Sequence, residues 1–180
     1  TSADDEIIKY MRSVFESHDL FVDRTESSDY EYSITNRKKR ASKGVFSVDD
    51  DTPKSHWLLN FLQEHNLLGN KHIPPIFKFS SRENRLKLLA GIIDTDGHLD
   101  TDSRFDGDGH FTTDSCYKII KKNKILAEDI AFVARSCGFY TSFKSFYGSS
   151  SVFSGEIEIH YQISICGKDL YDIPVLLDRK

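Results

Sequence analysis

The chain has 180 residues, 38% hydrophobic and 29% charged, enough for one globular unit or two small halves with a sizeable core. No apolar run approaches a membrane span and no signal peptide opens the sequence, so a soluble, intracellular protein of nucleus or cytoplasm is expected, with no membrane partner. The net charge of -4 argues mildly against a nucleic-acid binder.

In chain order, the periodicity predicts a helix from Asp4 to His18, a strand near Phe21 and a second strand from Tyr30 to Asn36. A polar stretch follows, containing the basic run Arg37, Lys38, Lys39 and Arg40 with Lys43, and then a helix from His56 to His65. Gly69 to Ser80 reads as a linker, because the paired Pro74 and Pro75 cannot continue a helix. A helix from Arg82 to Asp94 opens the second half. Strands follow around Gly97 to Leu99, Gly109 to Ser115 and Tyr117 to Ile120. A helix from Lys124 to Cys137, strands at Thr141 to Phe146 and Glu156 to Ile165, and a short helix from Asp169 to Leu177 complete the chain. Cys116, Cys137 and Cys166 are odd in number and lack CxxC spacing, so reduced, partly buried thiols are expected.

Two segments match at a constant offset of 119: Ile7 meets Leu126, Met11 meets Ile130, Val14 meets Val133, Asp19 meets Gly138 and Leu20 meets Phe139. Each is an amphipathic helix running into a strand. Tyr30 to Ile34 likewise resembles Tyr161 to Ile165, both alternating strands. The expectation is an α+β protein of two related halves, residues 1–80 and 81–180.

The most informative stretch is Leu89-Ala90-Gly91-Ile92-Ile93-Asp94-Thr95-Asp96-Gly97. Leu86, Leu89, Ala90 and Ile93 follow helical spacing, and Leu88, Gly91 and Ile92 make the opposite flank apolar, so burial nearly all round is expected. Ala90 and Gly91 remove bulk where another helix would approach. Asp94 and Asp96 fall at the C-terminal end, where the helix dipole disfavours negative charge, and a divalent cation is the simplest compensation. A calcium loop is excluded by register. With Gly109 at loop position six, Arg104 takes position one and Ser115 position twelve, where an aspartate and a glutamate are required.

These nine residues resemble the signature of the LAGLIDADG homing endonucleases, with Ile92 in place of Leu and Thr95 in place of Ala. The resemblance implies two pseudo-symmetric αββαββα half-domains with antiparallel, saddle-shaped sheets, the first half here truncated at its N-terminus and lacking its motif helix. It implies Mg2+-dependent (or Mn2+-dependent) cleavage of both strands of a long asymmetric DNA site, by a monomer when both motifs are present. By the same resemblance Asp96 and Gly97 are the metal-binding residues, Asp96 being catalytic, and Asp94 is the acid inside the motif helix with Leu89, Ala90 and Gly91. Lys71, in Lys71-His72-Ile73-Pro74, resembles the basic residue near the active site of intein-borne members; an ordinary surface lysine is the plain alternative. His72 reads as structural.

The family pattern also places a basic residue on the strand from Glu156 to Ile165, which here offers Glu156, Glu158 and His160 but no lysine; Lys144 or Lys121 would have to substitute. DNA contacts are expected from Arg37, Lys39 and Arg40, with Tyr30, Tyr32 and Thr35, in the first half. In the second they are expected from Lys118, Lys121, Lys144, His160 and Gln162, with Thr112. No splicing residues are present, since the sequence opens on Thr1 and closes on Lys180, so an intein origin would make it the inserted nuclease. A free-standing or intron-encoded nuclease, a decayed DNA-binding remnant and a maturase-like RNA binder remain open alternatives.

Overall fold

The computed structural model describes residues 4–25, 30–36, 56–105, 111–149 and 157–178. The chain divides into two compact units, Thr1–Leu68 and Gly69–Lys180, so residues 69–80 go with the second unit.

In the first unit α1 (Asp5–Glu16) leads into β1 (Leu20–Arg24), β2 (Tyr32–Asn36) and α2 (Trp57–Glu64). α1 buries Ile7 and Ile8, and β1 buries Leu20 and Val22 at alternate positions. Between them the chain turns through Asp19 at φ 58, a left-handed conformation that aspartate tolerates better than most residues. The Arg12 guanidinium donates to the Val22 carbonyl at 3.1 Å and ties the helix to the strand. β1 and β2 pair antiparallel, Leu20 opposite Asn36 and Arg24 opposite Tyr32.

The second unit runs α3 (Pro75–Lys78), α4 (Arg82–Asp96), β3 (Gly97–Phe105), β4 (Phe111–Lys121), α5 (Lys124–Ser136), β5 (Tyr140–Ser149) and β6 (Ile157–Cys166), ending in a 3₁₀ turn at Leu170–Asp172. The four strands form an antiparallel sheet in the order β3-β4-β6-β5. The architecture is α+β. Directly opposed residues of an antiparallel pair share a face. The register therefore aligns Gly97, Ile119, Ile163 and Phe143 in one row, and Leu99, Tyr117, Ile165 and Thr141 in the next. α4 and α5 cover these rows: Leu89, Ile93, Ile119, Ile130, Val133, Ile163 and Ile165 are all fully buried. Ser81 accepts the Asn84 amide at 3.2 Å, capping α4, and Asn123 accepts the Leu126 amide at 3.0 Å, capping α5. Arg82 and Arg85, in the first turn of α4, donate to the Cys137 and Ser136 carbonyls, each at 3.2 Å, satisfying the open end of α5. The two segments that match at an offset of 119 share local conformation: helices begin at Asp5 and Lys124, and Asp19 and Gly138 both take positive φ.

Several expectations are corrected. Pro75 begins a helical turn instead of preventing one, because a proline at the first helical position loses no hydrogen bond. The two strands expected between Gly109 and Ile120 are one strand, β4, paired without a break with β3 from Phe111 to Ile119. The closing helix shrinks to Leu170–Asp172 ahead of Pro174, which cannot donate an amide. α4 is not buried all round: Leu88 and Ile92 are half-buried, Gly91 and Thr95 are exposed, and a Cβ on Gly91 would meet nothing within 4 Å. The thiol expectation fails for two of three cysteines. Cys116 of β4 faces Cys166 of β6, with Cα atoms 4.4 Å apart, and they form a disulfide, while Cys137 stays free and buried.

Candidate functional site

α4 passes into β3 without a connecting loop. The Gly97 amide donates to the Ile93 carbonyl, and a Cβ on Gly97 would lie 2.8 Å from both the Cα and the carbonyl oxygen of Ile93. Glycine is therefore required for the helix to turn directly into the strand, which leaves Asp96 as the last helical residue at one end of the sheet. Gly97, expected beside Asp96 as a metal ligand, is itself buried and has this steric role here.

The two motif aspartates have opposite environments. Asp94 is 6% exposed. Its carboxylate accepts the Leu176 amide at 2.8 and 3.0 Å on its two oxygens and the Leu177 amide at 3.1 Å. Backbone amides of the closing segment thus compensate Asp94, which corrects the expectation that a cation does so for both acids. Burial pushes the phenol of Tyr117 above its ordinary pKa, and the charge of Asp94 adds to the effect. The side chain of Asp96 is 52% exposed and forms an ion pair with Lys121, the last residue of β4, opposite Tyr161 of β6.

Lys71 is exposed, but its backbone is fixed. Asp129 is buried on α5 and accepts the Ile73 amide at 2.8 Å and the Lys78 ammonium at 2.6 Å. Asn123 donates through Nδ2 to the Lys71 carbonyl at 3.1 Å while its Oδ1 caps α5. One side chain thus anchors Lys71 two residues beyond Lys121. The region expected as a linker is a structured support for the site.

The sheet face away from the helices carries the rest of the predicted contacts. His98, Lys118, Ser164 and Ser142 form one row; Ile120, Gln162 and Lys144 form the next; His160 and Phe146 follow, stacked with centroids 5.6 Å apart. Lys118, Lys144, His160 and Gln162 therefore share one face, whereas Lys121 lies on the opposite face beside Asp96. Lys118 is paired with Asp100 and Lys122 with Glu158, and Gln162 donates to Ser164 at 3.2 Å. Lys144 is exposed and forms no ion pair among the described residues. Arg37, Lys39 and Arg40, like Lys38, Lys43, Glu156 and the run 106–110, lie outside the described residues. Tyr32 and Thr35 are on β2 of the first unit, with Tyr30 just before it.

Sequence reasoning missed Asp129, Asn123 and the Cys116–Cys166 pair. Asp129 had a signal, an acid within the apolar run Ala127, Ile130, Ala131. Asn123 had one too, as a capping residue type just ahead of a helix. Among the described residues no group of three or more His, Cys, Asp or Glu side chains is placed to hold a metal ion. No protein-family model matches the chain, and no curated protein matches it. Among the described residues no helix is long and apolar enough to cross a membrane.

Proposed function

We propose that the chain is the endonuclease part of an intein-borne LAGLIDADG homing endonuclease, cutting both strands of a specific DNA duplex with Mg2+ or Mn2+. The observation that supports this most is the division of labour within the motif: Asp94 is buried as a backbone clamp, while Asp96, two residues on, is half-exposed at the end of the sheet. A pure capping turn gives no reason for the second acid. The order helix, two strands, helix, two strands after Ser81, and the matched conformations at Asp5–Leu20 and Lys124–Tyr140, support two related halves.

Asp96 is the residue of this chain that would hold the metal, through its hard carboxylate oxygens. Bound there, the metal would activate water and neutralise charge on the scissile phosphate. Lys71, held by Asn123 and by the Ile73–Asp129 bond, presents a further cation near that group. The open sheet face reads bases through Gln162 and His160 and meets phosphates through Lys144 and Lys118. The exposed Gly91–Thr95 side of α4 is where a second motif helix packs. A second reading, DNA binding without cutting, is favoured by one observation, the neutralisation of Asp96 by Lys121.

Selection from a random duplex pool in Ca2+, followed by incubation of the enriched duplex in Mg2+, tests the proposal. The expected result is an enriched site that the protein carrying both motif helices cuts and that its Asp96→Asn form binds but does not cut. Enrichment without cutting supports the second reading. Failure to enrich any duplex, or preference for structured RNA, overturns both.

A further inference from the structure

We infer that Asp100 and Glu158 are specificity-determining residues, which hold Lys118 and Lys122 back from duplex phosphates until base contacts have fixed the register; this rests on the DNA-binding reading above. The basic cluster at the end of β4 is compensated throughout. Lys118 pairs with Asp100 of β3, Lys121 with Asp96 of α4, Lys122 with Glu158 of β6, and Lys124 with Glu128, 3.6 Å away on the next turn of α5. Three of these acids come from other elements, so it is the fold, and not one stretch of sequence, that brings them to the lysines. By the register Asp100 and Glu158 lie on the same face of the sheet as Lys118, Lys144, Gln162 and His160. On that face Lys144 is exposed and forms no ion pair among the described residues.

A carboxylate and a phosphate offer the same kind of anionic oxygen to an ammonium, so they compete for it. Both pairs are open to that competition: Lys118 and Asp100 are 38% and 29% exposed, and Lys122 and Glu158 are 57% and 37% exposed. Pairs this exposed are weak and open at little cost. On an arbitrary sequence, binding rests on backbone charge alone, and a lysine already held by an acid adds nothing to it. On a fitting sequence, the contacts of Gln162 and His160 to base edges hold the duplex in place, and a phosphate takes the position of the carboxylate. The same lysine then contributes to one complex and not to the other, which is discrimination built from a repulsive element. The net charge of -4 fits a surface whose basic residues are withheld from unselected DNA.

The test is duplex binding by the full chain, followed by fluorescence anisotropy over a salt series, with a random-sequence duplex and with the duplex enriched by selection. The forms compared are wild type, Asp100→Asn, Glu158→Gln, Lys118→Gln and Glu83→Gln. The last removes the same charge from a pair on α4, where Lys87 lies 2.7 Å from Glu83. Asp100→Asn and Glu158→Gln should each tighten the random duplex about fivefold near about 0.15 M salt and steepen its logarithmic salt dependence by about 0.9. They should gain less on the enriched duplex, so discrimination falls. Lys118→Gln should weaken the enriched duplex about fivefold and leave the random duplex within about twofold. Glu83→Gln should change neither salt dependence. Unchanged salt dependence in both acid variants, an equal gain in Glu83→Gln, or an equal loss on both duplexes in Lys118→Gln overturns the inference and leaves the DNA-binding reading standing. Binding of neither duplex by any form overturns both.

Discussion

The two faces of the second unit's sheet differ by a single-residue step along each strand, yet they do different work. On the covered face Ile119, Ile163 and Ile165 are fully buried beneath α4 and α5; on the other face their neighbours Lys118 and Gln162 are polar and partly exposed, with Ser164 buried beside them. Alternation thus separates a packed face from a more polar one within the same strands. The faces meet at the junction of α4 and β3, where Asp96 and Lys121 stand at the end of the covered side.

The comparison breaks most sharply by truncating one side chain on each face. Ile163→Ala should cost about 2–5 kcal/mol in denaturant unfolding, since it leaves a cavity in a fully buried row. Its neighbour Gln162→Ala should change stability by less than about 0.5 kcal/mol. Similar losses would mean that the open face is buried against something else. The same logic separates the two motif glycines. A methyl at Gly97 meets the Ile93 backbone at 2.8 Å, so Gly97→Ala should cost about 1–3 kcal/mol. At Gly91 the methyl enters open space within a helix, and Gly91→Ala should stabilise this chain by about 0.5–1 kcal/mol in thermal melting.

Asp94→Asn should cost about 1–3 kcal/mol, because the amide keeps one acceptor oxygen for the Leu176 and Leu177 amides and turns an NH2 group toward them. Asp96→Asn should leave the melting temperature nearly unchanged. The smallest effect is alkaline. The folded-state pKa of Tyr117 lies above the ordinary 10.0, so its contribution is complete below that pH and falls as the phenol of the unfolded chain ionises above it. Tyr117→Phe should flatten the stability loss above about pH 10 in denaturant titrations.

What the sequence made legible follows from range. Helices α1, α4 and α5 were readable because their apolar spacing is local. The disulfide was not, because Cys116 and Cys166 are 50 residues apart and only strand register brings them together. The extent of β3 and the continuity of β4 were hidden by the polar runs Asp100 to Arg104 and Thr112 to Ser115, which carry no apolar alternation. Lys121 was readable as a cation but not as the partner of Asp96, since one step of register decides between the open sheet face and the covered one. The anchoring of the Lys71–Ile73 backbone by Asn123 and Asp129 was not readable, because it depends on tertiary contacts more than fifty residues away.

The central claim is that binding belongs to the sheet face and cutting to Asp96. Its most direct test measures affinity and Mg2+-dependent single-turnover cleavage of one selected duplex by the protein carrying both motif helices and by its Asp96→Asn form. The account predicts equal affinity within about twofold and cleavage lost by at least about a hundredfold in the variant. Undiminished cleavage, or loss of binding and cutting together, would contradict it.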